Sequence, residues 1–298
     1  MKNMLKEARK NRISYCFVLP YMLLFCIFTV LPVLISIALS FTTFNMLEMP
    51  VFVGYENYSR LFFDDSVFLI AVKNTVLMAL VIGPGGYLLS LLMAWMINEF
   101  PPKIRAFLTL IFYAPSISGN AYLIWTYLFS GDEYGIINGV LMKTGAIASP
   151  IIWLKNPQYM MTVVIIVSLW MSLGTSFLAF IAGFQGVDKT YYEAAAIDGI
   201  NNRWQELWFI TLPMMKQQMM FSAVMSITSS FGVGAVATAL CGLPSVDYAV
   251  HTIMNHLEDY GGQRFEMGYA SAIATVLFLL MVLSNMMVKR IIAKVGEQ

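Results

Sequence analysis

Charge is scarce in this sequence: 12% of its 298 residues are Asp, Glu, Lys or Arg, about half the usual share of a soluble domain. That scarcity excludes a water-solvated globule. The net charge is +1 and no basic cluster is longer than the N-terminal one, which argues against nucleic acid as a partner. Cys16, Cys26 and Cys241 are an odd number with no metal-ligand spacing, so they read as buried thiols rather than a disulfide or zinc framework. No G-x-x-x-x-G-K-S/T run occurs, so the chain has no P-loop with which to bind ATP. Asp and Glu are missing from every long apolar run, which removes the carboxylates that ion-coupled carriers keep at membrane depth. Nothing calls for a metal or a cofactor.

Apolar sequence fills the space left by charge. Hydrophobic residues make up 59% of the chain, and the mean hydropathy is +0.71. A bilayer core of about 30 Å takes roughly 20 residues of helix. Six segments reach that length, at residues 13–41, 68–97, 106–130, 159–184, 216–240 and 267–288. The first follows a charged N-terminus but exceeds the roughly 7 to 15 residues of a signal-peptide core and lacks a small-x-small cleavage site, so it reads as a transmembrane helix. Pro20 and Pro32 within it bend a helix without having to end it.

Six spans place both termini on one side, and the basic residues choose which. Thirteen Lys and Arg flank the spans on the side of the termini, among them Lys2, Lys6, Arg9, Lys10, Lys103, Arg105, Lys189 and Arg203. Arg60, Lys143, Lys155 and Arg264 flank the other side, where acids outnumber them. Both termini are therefore expected in the cytoplasm. His251 and His256, five residues apart in an external loop and off one helical face, read as loop residues rather than a metal pair.

One polar stretch interrupts the apolar pattern. In "QGVDKTYYEAAAIDG", Thr190 and Glu193 fit a capping box, Ala194 to Ala196 favour helix, and Gly199 suits a left-handed helix end. "NNRWQELWFITLP" predicts a second short helix, capped by Asn201 or Asn202, with Trp204, Leu207 and Trp208 as its apolar face. Pro213 stands where the fifth span can begin. Two short helices joined at a glycine make a rigid projection, useful for docking another protein.

These residues resemble the cytoplasmic signature of the membrane subunits of type I ABC importers: Glu-Ala-Ala, three residues, Gly, about nine residues, an apolar residue, any residue, then Leu-Pro. Here it reads Glu193-Ala194-Ala195, Gly199 and Ile210-Thr211-Leu212-Pro213, with ten residues between Gly199 and Ile210. The excess is expected in the Asn201-Asn202 turn, shifting the second helix rather than the first. "FVLPYMLLFCIFTVLPVLISIALSFT", "FVGYENYSRLF", "RAFLTLIFYAPS" and "FEMGYASAIATVLF" are similar to the maltose-type and glycerol-phosphate-type carbohydrate permeases.

The resemblance implies an all-α polytopic protein of six transmembrane helices with the type I ABC importer fold. Residues 1–66 would hold the cytoplasmic N-terminus, first span and external loop. Residues 67–290 would form the five-helix core with its coupling loop at 185–214, and 291–298 a cytoplasmic tail. Glu193, Ala194, Ala195, Asp198, Gly199, Trp204, Leu212 and Pro213 would couple to a separate ABC ATPase dimer. A second permease subunit, an extracellular solute-binding protein, a sugar or oligosaccharide and the bilayer of a bacterial cell membrane complete the expected partners.

For the solute path, the broken stretch "YAPSISGNAYLIW" and polar runs in the fourth and fifth spans nominate Asn120, Trp125, Trp170 and Ser229. Amides and hydroxyls bond sugar hydroxyls, and indole faces stack on pyranose rings; equally, small and hydroxylated residues allow close helix packing. Two other classes compete. An ion-driven secondary transporter calls for inverted repeats or an intramembrane acid, and an intramembrane enzyme for a His, Asp or Ser cluster at membrane depth. Neither is evident. An amino-acid ABC permease would share the cytoplasmic motif but is usually shorter.

Overall fold

The computed structural model describes residues 12–295, so Lys2, Lys6, Arg9, Lys10 and residues 296–298 of the expected tail lie outside the described residues. Two compact units divide the chain: residues 12–64 with 260–276, and residues 65–259 with those from 277 onward.

In the first unit, α1 (Arg12–Phe25) passes through a π-helical turn (Cys26–Val30) into α2 (Leu31–Leu39). The helix continues past both Pro20 and Pro32, as expected. Cys16 and Cys26 are exposed on it, not buried; only Cys241 is buried. A strand pair follows, β1 (Thr42–Thr43) antiparallel to β2 (Val51–Phe52), with Thr42 opposite Phe52. This small hairpin qualifies the all-α expectation. α3 (Glu56–Ser59) is pinned beneath it, where Asn57 Nδ2 donates to the carbonyls of Ser40 and Thr42 at 2.9 Å. Arg60 then pairs with Glu266 at 2.6 Å and lies over the Tyr269 ring.

The second unit is built on α4 (Ser66–Asn98), capped by Asp65, whose Oδ1 accepts the Phe68 amide. At 33 residues and about 1.5 Å per residue, it exceeds a bilayer core. Small residues let its neighbours approach. A Cβ added at Gly86 would lie 2.8 Å from Ser172 Oγ, and one at Gly83 3.5 Å from Ser230 Oγ. The neighbours are α8 (Pro157–Met171), α9 (Thr175–Gly186) and α13 (Lys216–Phe231), reached after α5 (Pro102–Ile117), α6 (Leu123–Leu128) and α7 (Ile136–Lys143). α9 and α13 exchange hydroxyl bonds, Ser176 Oγ to Ser222 O at 3.1 Å and Ser222 Oγ to Ser176 O at 3.2 Å. Here the hydroxylated residues serve close helix packing.

Between α9 and α13 lie α10 (Lys189–Ile197), α11 (Arg203–Glu206), a π turn (Leu207–Thr211) and α12 (Leu212–Met214). α14 (Gly234–Cys241), α15 (Ile253–Glu258) and α16 (Met267–Val295) complete the chain.

Among the described residues, four helical stretches are long and apolar enough to cross a membrane: Cys16–Leu39, Ser66–Asn98, Pro157–Gly186 and Met267–Arg290. Lys216–Phe231 with Gly234–Cys241, bent by 40°, makes a fifth if the pair is one span. The expected span at 106–130 is not one helix. Pro115 lacks an amide to donate, and α5 ends two residues later, leaving Ser118–Tyr122 outside any helix before the short α6.

Candidate coupling site

The polar stretch folds as a capped, sharply terminated helix. Its N-cap is Asp188 rather than Thr190: Asp188 has extended backbone angles and its Oδ1 accepts the Thr190 amide at 3.0 Å. These bonds hold the Asp188 carboxyl below the ordinary carboxylate range. The expected capping box is therefore replaced by an aspartate two residues earlier, whose charge also suits a helix N-terminus. At the other end Gly199 has φ +93°. The Gly199 amide donates to Ala196 O and the Ile200 amide to Ala195 O at 2.9 Å, the bond pair of a Schellman ending.

α10 has two unlike faces. Ala195 is buried and Tyr192 half-buried, with the Tyr192 hydroxyl 2.9 Å from Thr211 Oγ1. Lys189, Glu193, Ala194, Ala196 and Asp198 are exposed, and Ile197 is 88% exposed. Glu193 and Ile197, four residues apart, share one side of the helix. Among the described residues Glu193 makes no ion pair. The outward face of α10 is thus both apolar and acidic, on a rigid mount.

The second part is fixed to the second expected span. After Ile200–Asn202, Asn202 caps α11 by accepting the Trp204 amide at 3.0 Å. Arg203 bonds Glu206 at 2.7 Å and Glu99, just beyond α4, at 3.1 Å. Both carboxylates, Glu206 first, hold its guanidinium more firmly protonated. Trp204 packs on Trp95 of α4 with ring centroids 4.8 Å apart. The expected apolar face of Trp204, Leu207 and Trp208 is only partly inward. Leu207 is buried in a cluster with Ala94, Ile97, Phe177 and Phe180, whereas Trp204 is 59% exposed and Trp208 stands out still further. The π turn from Leu207 to Thr211 departs from α periodicity, carrying Ile210 and Thr211 into the interior. Leu212 is half-buried and Pro213 exposed. Both belong to α12, and Met215 separates that turn from α13, so Pro213 does not itself open the fifth span.

A cavity of about 590 Å³ opens beside this assembly, lined by Trp95, Glu99, Arg105, Tyr192, Glu193 and Arg203 among others. Trp95 and Glu99 were not anticipated as site residues. Their signal is an acid and an indole at a span's basic end, where Arg203 supplies the opposite charge.

The four pathway candidates divide. Trp125 and Trp170 meet edge-on at 5.5 Å, and Trp125 stacks on Phe129 at 5.8 Å. Trp125 also packs against the core cluster that contains Met160 and Val164, while its Nε1 is buried without a partner. Asn120 is exposed in the broken segment and accepts from the Tyr122 hydroxyl at 3.2 Å. Ser229, also exposed, donates to Ser226 O of its own helix. The histidines depart most from expectation: both are buried, and they hydrogen-bond to each other.

Residues 86–297 match the family described as "Binding-protein-dependent transport system inner membrane component". The chain is 31% identical over 286 residues to the probable ABC transporter permease protein YesP of Bacillus subtilis, covering 94% of this chain and 90% of that protein. It is 35% identical to the lactose transport system permease protein LacF of Rhizobium radiobacter, covering 74% and 72%. A chain of a bacterial alginate ABC transporter, crystallised with an alginate pentasaccharide-bound periplasmic protein, superposes with a TM-score of 0.76 at 24% identity, covering 96% and 97%. This chain belongs to the binding-protein-dependent transport system inner membrane component family. It has the type I ABC importer permease fold and is a membrane transport subunit, not an enzyme.

Proposed function

We propose that the protein is one permease half of a carbohydrate ABC importer, pairing with a second permease subunit to form the path for a sugar or oligosaccharide. ATP is hydrolysed by a dimeric ATPase on separate chains, and an extracellular solute-binding protein delivers the sugar. The lactose permease among its relatives and the alginate transporter that shares its fold support this solute class. In this reading six spans cross the membrane, the segment 106–130 crossing as a broken helix, and both termini are cytoplasmic. Residues 1–66, 67–290 and 291–298 then form the entry span with its external loop, the core, and the tail.

α10 is the docking element for the ATPase. The observation that carries this reading is its outward face, with Glu193, Ala194 and Ile197, on a helix capped by Asp188, stopped at Gly199 and followed by α11, which Trp204 packs onto α4. Asp198 supplies the C-cap, and Ala195 seats the helix. α11, the π turn and α12, with Leu212 and Pro213, carry the motion onward. Swinging a two-state protein from about 1:99 to about 99:1 takes roughly 5.5 kcal/mol of differential binding, which a floppy loop would dissipate. On the solute path Trp125 and Trp170 offer indole faces to pyranose rings, and Asn120 and Ser229 offer polar atoms.

Copurification of the complex with its binding protein, followed by calorimetry against a sugar panel, tests the solute class. Tight binding of a sugar is expected. A binding protein selective for amino acids or metal ions would refute it.

A further inference from the structure

The two histidines lie outside the α10–α12 assembly and stand in one hydrogen-bonded chain with an aspartate. His256 Nε2 is 3.0 Å from Asp65 Oδ2, and His256 Nδ1 is 3.3 Å from His251 Nε2. Both imidazoles are 2% exposed. Phe68 and Tyr248 pack on them, with ring centroids 5.8 Å from His256 and 5.3 Å from His251. Asp65 is held by the first turn of α4 through its other oxygen.

Separate bonds tie the segment that carries the histidines to α4 and α14. Asn74 Nδ2 on α4 donates to the carbonyls of Tyr248 and His251, and the Ile253 amide donates to Thr75 Oγ1. Asn255 on α15 donates to Gly234 O and Thr238 Oγ1 on α14. The elements packed around the pair carry these charged or titratable groups: Asp65 and Lys73 from α4, Asp247 and Tyr248 from the preceding loop, Glu258 and Asp259 at the end of α15, and Cys241 from α14. α14 bears no charged side chain.

A bond between two imidazoles needs one N–H and one lone pair. With Asp65 ionised, His256 Nε2–H donates to the carboxylate, and one added proton is tolerated on the pair beside that negative charge. Two protonated rings would set N–H against N–H and cation against cation across 3.3 Å. The chain therefore accepts one proton and breaks on the second.

We propose that Asp65, His256 and His251 form an acid-released latch: the second proton drives the His251 ring and its loop off His256, while His256 stays paired with Asp65 at the start of α4. The proposal rests on the permease reading, in which these ends face outside. It makes the external wall of the path responsive to external pH.

The chain has only two histidines, so labelling this subunit with 15N-histidine in the assembled complex, in nanodiscs, leaves two rings to follow from about pH 8 to about pH 4. The rings are expected to titrate in two separated steps as a coupled pair. Amides at 248–258 are then expected to lose protection, measured against the intrinsic exchange rate at each pH, below the second step, by up to about tenfold per pH unit for a one-proton release. His251→Gln presents an amide that turns either its N–H or its oxygen toward His256, satisfying both protonation states. Its segment should stay protected in acid, and its uptake should resist external acidification that lowers wild-type uptake. Independent titration of both rings near the ordinary value of about 6.5, or equal acid-driven exchange in His251→Gln and wild type, overturns the latch. Failure of the permease reading looks different: the wild-type complex takes up no solute even at neutral pH, whatever the rings do.

Discussion

Replacing Trp204 by alanine should separate coupling from folding, and the structure sets the size of the effect. Trp204 is 59% exposed, so two-fifths of a side chain of up to about 250 Å² is covered, or about 100 Å². At about 25 cal/mol per Å² that cover contributes about 2.5 kcal/mol, and the ring pair with Trp95 adds about 0.5–1.5 kcal/mol. The loss is about 3 kcal/mol, which raises the detached fraction of α11 by about two orders of magnitude. That is more than half of the roughly 5.5 kcal/mol needed to swing the transporter between states. The neighbouring Arg203–Glu99 pair is the contrast, because side chains 65% and 44% exposed contribute at most about 1 kcal/mol. Reconstituted complexes report both: sugar taken up per ATP hydrolysed should fall at least tenfold in Trp204→Ala and change little in Glu99→Gln. An unchanged ratio in Trp204→Ala, or a larger loss in Glu99→Gln, would refute the reasoning.

Three other outcomes are expected. Glu193→Lys and Gly199→Pro should leave the protein inserted but uncoupled, since the first reverses charge on the docking face and the second demands φ near −65° where the chain holds +93°; normal ATP-driven uptake by both would sink the assignment. Because Asp188 titrates below its unfolded value, its cap contributes fully above the unfolded carboxylate pKa of about 3.9 and is lost as pH falls through the lower folded value. Protection of α10 amides should therefore be flat from neutral pH down to about 4 and fall beyond it, while Asp188→Asn should remove that fall. Trp125→Phe keeps an aromatic ring but deletes the buried Nε1–H and the pyrrole half of the indole, so a several-fold rise in uptake KM is expected; an unchanged KM would reduce Trp125 to a packing residue.

Features carried by local chemistry were legible in the sequence. Gly199 was readable because a helix that stops after "EAAAID" needs a left-handed residue, and only glycine takes that conformation without cost. Asn202 was one of two readable caps. Asp188 was missed because Asp188 and Thr190 are both good caps by type, and only the extended backbone at Asp188 decides between them. The break in the third span was legible too, because Pro115 and Gly119 interrupt "YAPSISGNAYLIW" within a run that is long enough by hydropathy to cross.

Contacts between distant segments were not legible. Five-residue spacing takes His251 and His256 off a common helix face, and that reasoning holds for a helix. The structure evades it by ending a loop at Thr252 and starting α15 at Ile253, so the two rings approach from a loop and a helix. Asp65, 191 residues away from His256, has no periodic relation to either. Glu99 was hidden in the same way, because its partner Arg203 lies in a distant segment.

The Trp95–Trp204 contact also alters the expected route of motion. The strut was expected to drive the fifth span directly through Pro213, but Met215, at φ −93° and ψ 13°, interrupts the helix between α12 and α13. Met215 is buried in the cluster that also holds Leu207 and Ala94. A push on α10 therefore meets α4 through packed side chains before it crosses the break into α13. If α11 and α4 move as one body, tethering them should cost nothing. Cysteines placed at 99 and 203, where the exposed Glu99–Arg203 pair already bridges the two elements, in a background lacking Cys16, Cys26 and Cys241 and joined by a short cleavable cross-linker, should retain full ATP-driven uptake. A joint between α11 and α4 that flexes during the cycle predicts the opposite: uptake lost on cross-linking and restored on cleavage. That result would return the load to α12 and the fifth span.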